Sequence, residues 1–295
     1  MKRVKFSKIF VLFVALFALC YLPAYSVAAP AASAPARAQR AKLPQNVFEL
    51  AVPSPSMNKK VPVVVVLPES YKNGGEKRYP VIYLLHGHGG NHFTWLRIRP
   101  DLAKLASRFS VIFVCPDGFK SSWYWDSPVD KSVKYETFVS KELVEYIDAN
   151  YRTNASPKGR AITGLSMGGH GGLWLGFRHQ DVYGACGSMS GGVDIRPFPR
   201  NWGMASRLGT IAEHPENWDN YTVMTQLDLL KPDSAPRIAF ECGVDDFFFG
   251  VNEKLHAELL KRKIPHDYTT RPGKHNSAYW KNALPYQIYF FSLGF

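Results

Sequence analysis

A serine surrounded by glycines is the first feature of this sequence that could do chemistry. The segment "AITGLSMGGHGGLW" (161–174) places Ser166 between Gly164 and Gly168, in the pattern G-x-S-x-G. An apolar, β-branched run precedes the pattern and a helical pattern follows it, which is the setting of a nucleophile elbow. Side chains two residues before and after the serine would collide in so sharp a turn, so glycine is expected at both positions. The segment lacks the lysine of a phosphate-binding loop, which argues against a nucleotide site.

A serine hydroxyl is a poor nucleophile unless a base removes its proton. When a nucleophile elbow supplies the serine, the chain order of the partners is acid and then histidine. The segment "ECGVDDFFFG" supplies Asp245 and Asp246, and "RPGKHNSAYW" supplies His275, each directly after a predicted strand. Such positions lie at the carboxyl ends of strands, where α/β folds place their sites. The residues predict a triad of Ser166, an aspartate and His275, and by themselves they leave both aspartates open.

Backbone N–H groups must stabilise the negative oxygen that forms when a carbonyl is attacked. We expect one from Met167, directly after the serine, and the other from the glycine-rich loop "HGHGG", where we choose the backbone of His88. The histidines of this segment, His86, His88 and His92, have no carboxylate partner at a metal-site spacing. The sequence therefore predicts a site without a metal and without a cofactor.

The elements that would position these residues alternate along the chain. The runs "NVFELAVP" and "VPVVVVLP" predict an antiparallel pair of strands at the start. Further strands are predicted at "PVIYLLH", "SVIFVCP", "RAITGLS", "YGACGSMS", "PRIAFECG" and "HDYTTRP", and helical patterns cover 102–109, 133–151, 167–179, 251–263 and 278–293. Continuous apolar strands alternating with helices predict an α/β fold, with a mostly parallel eight-stranded sheet and helices on both faces.

The first 28 residues are interpreted as an export signal. Four basic residues precede the apolar run "IFVLFVALFALCYL", and "SVA" offers a cleavage site after Ala28. Pro23 interrupts the run before it reaches the length of a membrane span. The Ala/Pro-rich residues 29–44 predict a flexible leader, and 45–295 the folded domain. We expect a periplasmic or secreted protein with no stable membrane insertion after cleavage; the alternative is an uncleaved anchor.

Charge and cysteine content exclude other classes of protein. The chain has a net charge of +12, but its basic residues are scattered and form no stripe with interleaved aromatics, so nucleic-acid binding is not expected. Cys115, Cys186 and Cys242 each lie in or end an apolar run. That placement predicts buried free thiols and no disulfide framework.

Taken together, the motifs resemble the esterase D-like branch of the α/β-hydrolases, which includes acetylxylan and feruloyl esterases, tributyrin-type esterases, S-formylglutathione hydrolases and mycolyltransferases. The matching segments are "YLLHGHGG", "GLSMGGHG", "SMSGGVD", "ECGVDDFF" and "PGKHNSAYW", which span roughly residues 47–295. The resemblance implies an α/β-hydrolase fold, and it maps the catalytic acid onto Asp246 with Asp245 as the fallback. The family often has an aromatic residue where this chain has Ser277, so the shape of the pocket stays open.

Aromatic residues are the candidates for substrate binding. The segment "SWYWD" resembles the family pattern S-W-Y-x-D, which implies that Trp123, Tyr124 and Asp126 lie near the mouth of the site. Trp202 and Trp218 belong to a segment predicted between the sixth and seventh strands, where such insertions often cover the site. These side chains are expected to offer flat apolar faces to a sugar or phenolic ring, and packing in the wall or core is the alternative.

The resemblance implies a serine esterase that forms an acyl-enzyme. An exported enzyme of this branch is expected to act on short or aromatic acyl esters of carbohydrates, so its partner is a small-molecule or oligosaccharide ester. S-formylglutathione hydrolases are cytosolic, so the predicted export signal argues against that activity. Two alternatives remain, acyl transfer to a sugar acceptor and a non-catalytic binding module. Modules of that kind usually lose the nucleophile or the base, whereas this chain has both.

Overall fold

Eight strands form one sheet in the computed structural model, which describes residues 43–295. The strands are β1 (Val47–Ser54), β2 (Lys59–Val66), β3 (Val81–Leu85), β4 (Ile112–Pro116), β5 (Arg160–Gly164), β6 (Ala185–Met189), β7 (Arg237–Gly243) and β8 (Asp267–Arg271). Their order is β1-β2-β4-β3-β5-β6-β7-β8. The pairs β1–β2 and β2–β4 are antiparallel, and all other neighbours are parallel. The predicted eight-stranded, mostly parallel sheet is confirmed.

The predicted export signal, residues 1–28, and the predicted leader up to residue 42 lie outside the described residues. Within the described part, the first strand begins at Val47. Among residues 43–295, every helix is too short or too polar to span a lipid bilayer.

Helices connect the parallel strands. They are α1 (Ser70–Asn73), α2 (Thr94–Ile98), α3 (Leu102–Phe109), α4 (Tyr135–Thr137), α5 (Leu143–Asn150), α6 (Met167–Arg178), α7 (Ala205–Leu208), α8 (Pro215–Asn220), α9 (Phe249–Lys261) and α10 (Ser277–Ser292). A π-helical stretch, Phe138–Glu142, joins α4 to α5, and 3₁₀ turns occupy Pro55–Met57, Pro157–Gly159 and Val223–Leu229. The five predicted helices agree with the observed ones to about two residues at each end, the usual margin for helix boundaries.

The central strands are buried on both faces. Tyr83 and Leu85 of β3 belong to the core beneath α5, α6 and α9, whereas Ile82 and Leu84 belong to the core beneath α2, α3 and α10. Successive side chains of a strand point to opposite faces, so a strand covered on both sides must be apolar throughout. This arrangement explains the continuous apolar runs of the sequence. The three described cysteines are buried free thiols within these cores, as predicted.

Candidate active site

Ser166 occupies a strained turn between the end of β5 and the start of α6. Its backbone has φ 56° and ψ −117°, a conformation that residues other than glycine rarely adopt. Its N–H donates to the carbonyl of Met189 at 2.9 Å, which ties the turn to the neighbouring strand β6. A Cβ atom on Gly164 would lie 2.4 Å from the carbonyl oxygen of Gly168, and one on Gly168 would lie 2.4 Å from that of Leu85. The two glycines of the G-x-S-x-G pattern are therefore required by backbone packing, as the sequence predicts.

The structure brings Ser166, His275 and Asp246 into one hydrogen-bonded chain. His275 Nε2 lies 2.9 Å from Ser166 Oγ. His275 Nδ1 lies 2.8 Å from Asp246 Oδ2 and 3.0 Å from Oδ1. The loops after β7 and β8 place the aspartate and the histidine, as expected for carboxyl ends of parallel strands. With the imidazole proton on Nδ1, Nε2 is free to accept the proton of the serine hydroxyl.

Burial distinguishes the two neighbouring aspartates. The side chain of Asp246 is fully buried, and its Oδ1 also accepts the N–H of Phe248 at 2.9 Å. Asp245 is exposed. Only Asp246 therefore has a carboxylate directed at His275, in agreement with the residue that the family pattern indicates.

The two expected oxyanion donors lie beside the serine. His88 lines the same cleft as Ser166, and Met167 is the first residue of α6. Within residues 43–295, neither the His88 N–H nor the Met167 N–H has a hydrogen-bond acceptor in the chain. By contrast, Gly89 N–H donates to Lys120 O at 2.8 Å and Gly90 N–H donates to Gly87 O at 3.0 Å. Two unpaired amide donors next to a nucleophile can stabilise a developing oxyanion.

Three side chains hold the backbone of residues 86–90, here called the oxyanion loop, and of Leu85 just before it, and sequence reasoning did not give them this role. Trp95 Nε1 donates to Leu85 O at 3.0 Å, and the hydroxyl of Tyr124 donates to His86 O at 3.0 Å. The ring of His86 accepts the Gly118 N–H at Nε2, at 2.7 Å, and Nδ1 lies 2.7 Å from the carbonyl oxygen of Gly87.

Burial lowers the pKa of His86 and so favours the neutral ring, which can donate at one nitrogen and accept at the other. The position of His86 at the start of "HGHGG" is the sequence signal that could have suggested this role.

The histidines near this loop have separate partners. His92 is buried, with Nε2 3.0 Å from Glu49 Oε1 and Nδ1 3.4 Å from Asp117 Oδ2. His86 bonds the backbone, and His88 faces the cleft. In the part of the chain that the structure describes, no group of three or more His, Cys, Asp or Glu side chains is placed to hold a metal. The absence of a metal and of a cofactor remains a prediction.

An open cleft of about 850 Å³ leads to Ser166. Its lining residues come from the oxyanion loop, α2, the elbow, the β6–β7 connection, the loops after β7 and β8 and the start of α10: Gly87, His88, Gly89, Gly90, Thr94, Arg97, Ile98, Leu165, Ser166, Trp202, Phe247, His275, Ser277, Ala278, Trp280 and Lys281. Trp202 and Phe247 stack with centroids 5.7 Å apart, and Phe247 lies 4.3 Å from the ring of His275. These two rings form an aromatic wall next to the histidine of the triad.

Two of the expected substrate contacts are wrong because the "SWYWD" segment turns into the core. Trp123 is 1% exposed and Tyr124 is 0% exposed, and neither lines the cleft. Trp123 stacks on Trp125 at 5.6 Å, and Trp125 Nε1 donates to the buried His170 Nε2 at 2.9 Å. Positive φ at Trp123 (54°) and Tyr124 (61°) turns this segment inward. Asp126 also lies away from the cleft, because its carboxylate accepts the N–H and hydroxyl of Thr137.

The connection between β6 and β7 contributes one of its two predicted tryptophans. Trp202 lines the cleft, as expected. Trp218 is 0% exposed, and its Nε1 donates to Gly209 O at 3.0 Å, so the expected substrate contact is wrong for this residue. Trp218 holds together the short helices of the connection. The second ring of the aromatic wall belongs to Phe247, which was not predicted.

The sequence matches a family model described as "Putative esterase" over residues 54–291. Among curated proteins, "Esterase Rv1288" of Mycobacterium tuberculosis (strain ATCC 25618 / H37Rv) is 32% identical over 243 residues, covering 72% of this chain and 52% of that protein. This chain thus spans about half the length of that relative. An "Acetyl esterase" of Caldicellulosiruptor saccharolyticus is 25% identical over 248 residues, covering 78% of this chain and 92% of that protein.

A solved structure of a protein described as a "ferulic acid esterase" has a similar fold. The two structures superpose with a TM-score of 0.73 at 28% sequence identity, covering 84% of this chain and 97% of that one. The fold is therefore shared across most of the chain.

Proposed function

We propose that this chain, which belongs to the putative esterase family, is a carboxylic ester hydrolase that cleaves short or aromatic acyl esters of carbohydrates through an acyl-enzyme at Ser166. The observation that carries this proposal is the hydrogen-bonded chain from Ser166 Oγ through His275 to Asp246. Ser166 lies in an open cleft, beside the two unpaired amide donors of His88 and Met167. We also propose that residues 1–28 direct the protein out of the cytoplasm.

The geometry leads to a two-step reaction. In the first step, Ser166 Oγ forms a bond to the carbonyl carbon of the ester while His275 Nε2 takes its proton. The carbonyl oxygen becomes negative and accepts hydrogen bonds from the N–H groups of His88 and Met167. His275 then donates the proton to the leaving alcohol, and the acyl group stays on the serine.

Water completes the cycle in the second step. His275 removes a proton from a water molecule whose oxygen forms a bond to the acyl carbon, and it returns that proton to Ser166 Oγ as the serine–acyl bond breaks and the carboxylic acid leaves. Throughout both steps Asp246 accepts the hydrogen bond of His275 Nδ1–H and stabilises the imidazolium. Its full burial keeps this carboxylate out of contact with water, so its hydrogen bonds remain directed at His275 and at the Phe248 N–H.

The aromatic wall and the relatives support the choice of acyl group. Trp202 and Phe247 offer flat apolar surfaces beside His275, suited to a phenolic or sugar ring. The relatives named acetyl esterase and ferulic acid esterase fit a short and an aromatic acyl group respectively. The triad is indifferent to the alcohol, so selectivity must come from the rim of the cleft.

A hydrolysis panel tests the proposal. The wild-type protein should release product from 4-nitrophenyl acetate, acetylated xylan and methyl ferulate, and a fluorophosphonate probe should label Ser166. Ser166→Ala should abolish labelling and lower kcat by several orders of magnitude with an unchanged unfolding temperature. A folded wild-type protein that neither hydrolyses these esters nor reacts with the probe would overturn the proposal and favour a non-catalytic binding module. Adding a sugar acceptor and measuring the ratio of transfer to hydrolysis decides the acyltransferase alternative.

A further inference from the structure

The active-site cleft carries positive charge and no opposing carboxylate in its lining. Arg97 of α2 and Lys281 of α10 both line it, together with His88 and His275, and the residues that line it include no Asp or Glu. Both basic side chains are exposed to solvent. Asp246 is the acid of the catalytic machinery, but it is buried behind His275.

Arg97 is held in place by neutral groups. One guanidinium nitrogen donates to Asn91 Oδ1 at 3.0 Å and to Thr94 Oγ1 at 3.1 Å. Seven of the other twelve arginines in residues 43–295 are paired with carboxylates, as Arg99–Asp101, Arg160–Asp148, Arg178–Glu136, Arg196–Asp194, Arg207–Asp130, Arg262–Asp228 and Arg271–Glu241. The neutral partners orient Arg97 and leave its charge uncompensated at the cleft.

Lys281 lies on a helix that is hydrogen-bonded to the segment next to Arg97. Arg99 donates to the backbone carbonyl of Lys281 at 2.9 Å and is itself paired with Asp101, so the segment joining α2 and α3 is bonded to α10. Lys120 is a third cation near the cleft. The pKa of His88, which lines the cleft, is lowered first by burial and then by the positive charge of Lys120.

We propose that Arg97 and Lys281 bind a carboxylate on the substrate, so that the preferred substrate is an anionic ester. The inference rests on the proposed ester hydrolysis at Ser166 and names its substrate class. An oriented guanidinium presents paired N–H donors that match a carboxylate, and a lysine adds a mobile point charge. The carboxylate can belong to the acyl part, as in a half-ester of a dicarboxylic acid, or to the alcohol part, as in an acylated uronic acid.

Matched pairs of substrates distinguish these sources. For the acyl part, mono-4-nitrophenyl adipate is compared with its counterpart in which the free carboxyl is a methyl ester. For the alcohol part, an acetylated methyl glucuronoside is compared with the corresponding acetylated methyl glucoside. The readout is the ratio of kcat/KM on the anionic member to kcat/KM on the neutral member. The wild-type ratio should exceed one for one of the two pairs and fall as salt is raised, because exposed charges are screened.

Charge-removing variants assign the effect to the two residues. Arg97→Gln and Lys281→Gln should each lower that ratio by about 3- to 5-fold, the size of one exposed ion pair, and the double variant should lower it further. Lys104→Gln, an exposed lysine of α3 outside the cleft, should leave the ratio unchanged. Arg97→Lys should retain part of the preference.

Two results would overturn the inference in different ways. If the wild-type protein hydrolyses neutral esters, and the ratios of both pairs are the same in wild type and in both variants, Arg97 and Lys281 have no part in substrate selection and the proposed function stands. A wild-type protein that hydrolyses no ester of either charge would overturn the proposed function and this inference together.

Discussion

Replacing Asp246 by Asn exchanges one buried carboxylate oxygen for an amide nitrogen and leaves the size of the side chain unchanged. In the wild-type protein Oδ1 accepts the Phe248 N–H at 2.9 Å, and both oxygens lie within 3.0 Å of His275 Nδ1. If the new nitrogen takes the Oδ2 position, its N–H groups face His275 Nδ1. If the amide is flipped, its nitrogen faces the Phe248 N–H, donor against donor.

The first orientation is favoured because a backbone N–H cannot change its role, whereas an imidazole can move its proton. His275 then carries its proton on Nε2, the atom that must accept the proton of Ser166 Oγ 2.9 Å away. The wrong tautomer, together with the lost stabilisation of the imidazolium, should lower kcat/KM by about 10³- to 10⁴-fold. This corresponds to about 4 to 5.5 kcal/mol in the activation barrier.

Initial rates on 4-nitrophenyl acetate measure this loss, and thermal unfolding checks that the variant is folded. Asp245→Asn is the matched control, because the neighbouring carboxylate is exposed. Its rate should stay within about twofold of wild type, as for most exposed substitutions. The reasoning is refuted if Asp246→Asn retains more than about a tenth of the activity. It is equally refuted if Asp245→Asn is the inactive variant, which would assign the acid to the neighbouring residue.

Three further predictions follow from side chains around the site. Tyr124→Phe removes the hydroxyl that donates a hydrogen bond to the His86 carbonyl. The free energy of unfolding, measured by denaturation, should fall by about 1–3 kcal/mol. In steady-state kinetics, kcat should fall by a larger factor than KM rises. Trp202→Ala should lower kcat/KM on methyl ferulate more than on 4-nitrophenyl acetate, because Trp202 lines the cleft. Trp123→Ala should instead lower the free energy of unfolding by about 3–5 kcal/mol, because Trp123 is buried. Equal losses of kcat/KM on both esters for Trp202→Ala would contradict a role of the aromatic wall in binding the substrate. Burial lowers the pKa of His92, but hydrogen bonds to two carboxylates outweigh burial and raise it above 6.5 in the folded state. The charged pair therefore stabilises the fold fully below the unfolded pKa, and this stability is lost as pH rises through the folded value. His92→Gln should flatten the decline of the unfolding temperature above about pH 6.5, and a profile parallel to wild type would count against the ion pair.

The sequence determined the sheet and the two residues that exchange a proton. Continuous apolar runs are required wherever a strand is buried on both faces, so central strands such as β3 and β4 could be predicted from local composition. Ser166 could be identified because Gly164 and Gly168 are required by contacts within its own turn and with the adjacent strand. His275 could be identified because the chain order of an elbow-type triad and the end of the last strand leave one candidate.

Which side chains face the cleft depends on how distant segments of the chain pack together. Asp245 and Asp246 are chemically identical and adjacent, and the direction of each depends on the loop after β7, so residues alone could not choose between them. The aromatic side chains of "SWYWD" are equally suited to a rim or a core. Contacts with His170 and with the oxyanion loop, far away in the chain, bury Trp123 and Tyr124 instead of exposing them to substrate. Local patterns specify strands, helices and sharp turns because those depend on near neighbours, whereas burial is set by which distant segments pack together.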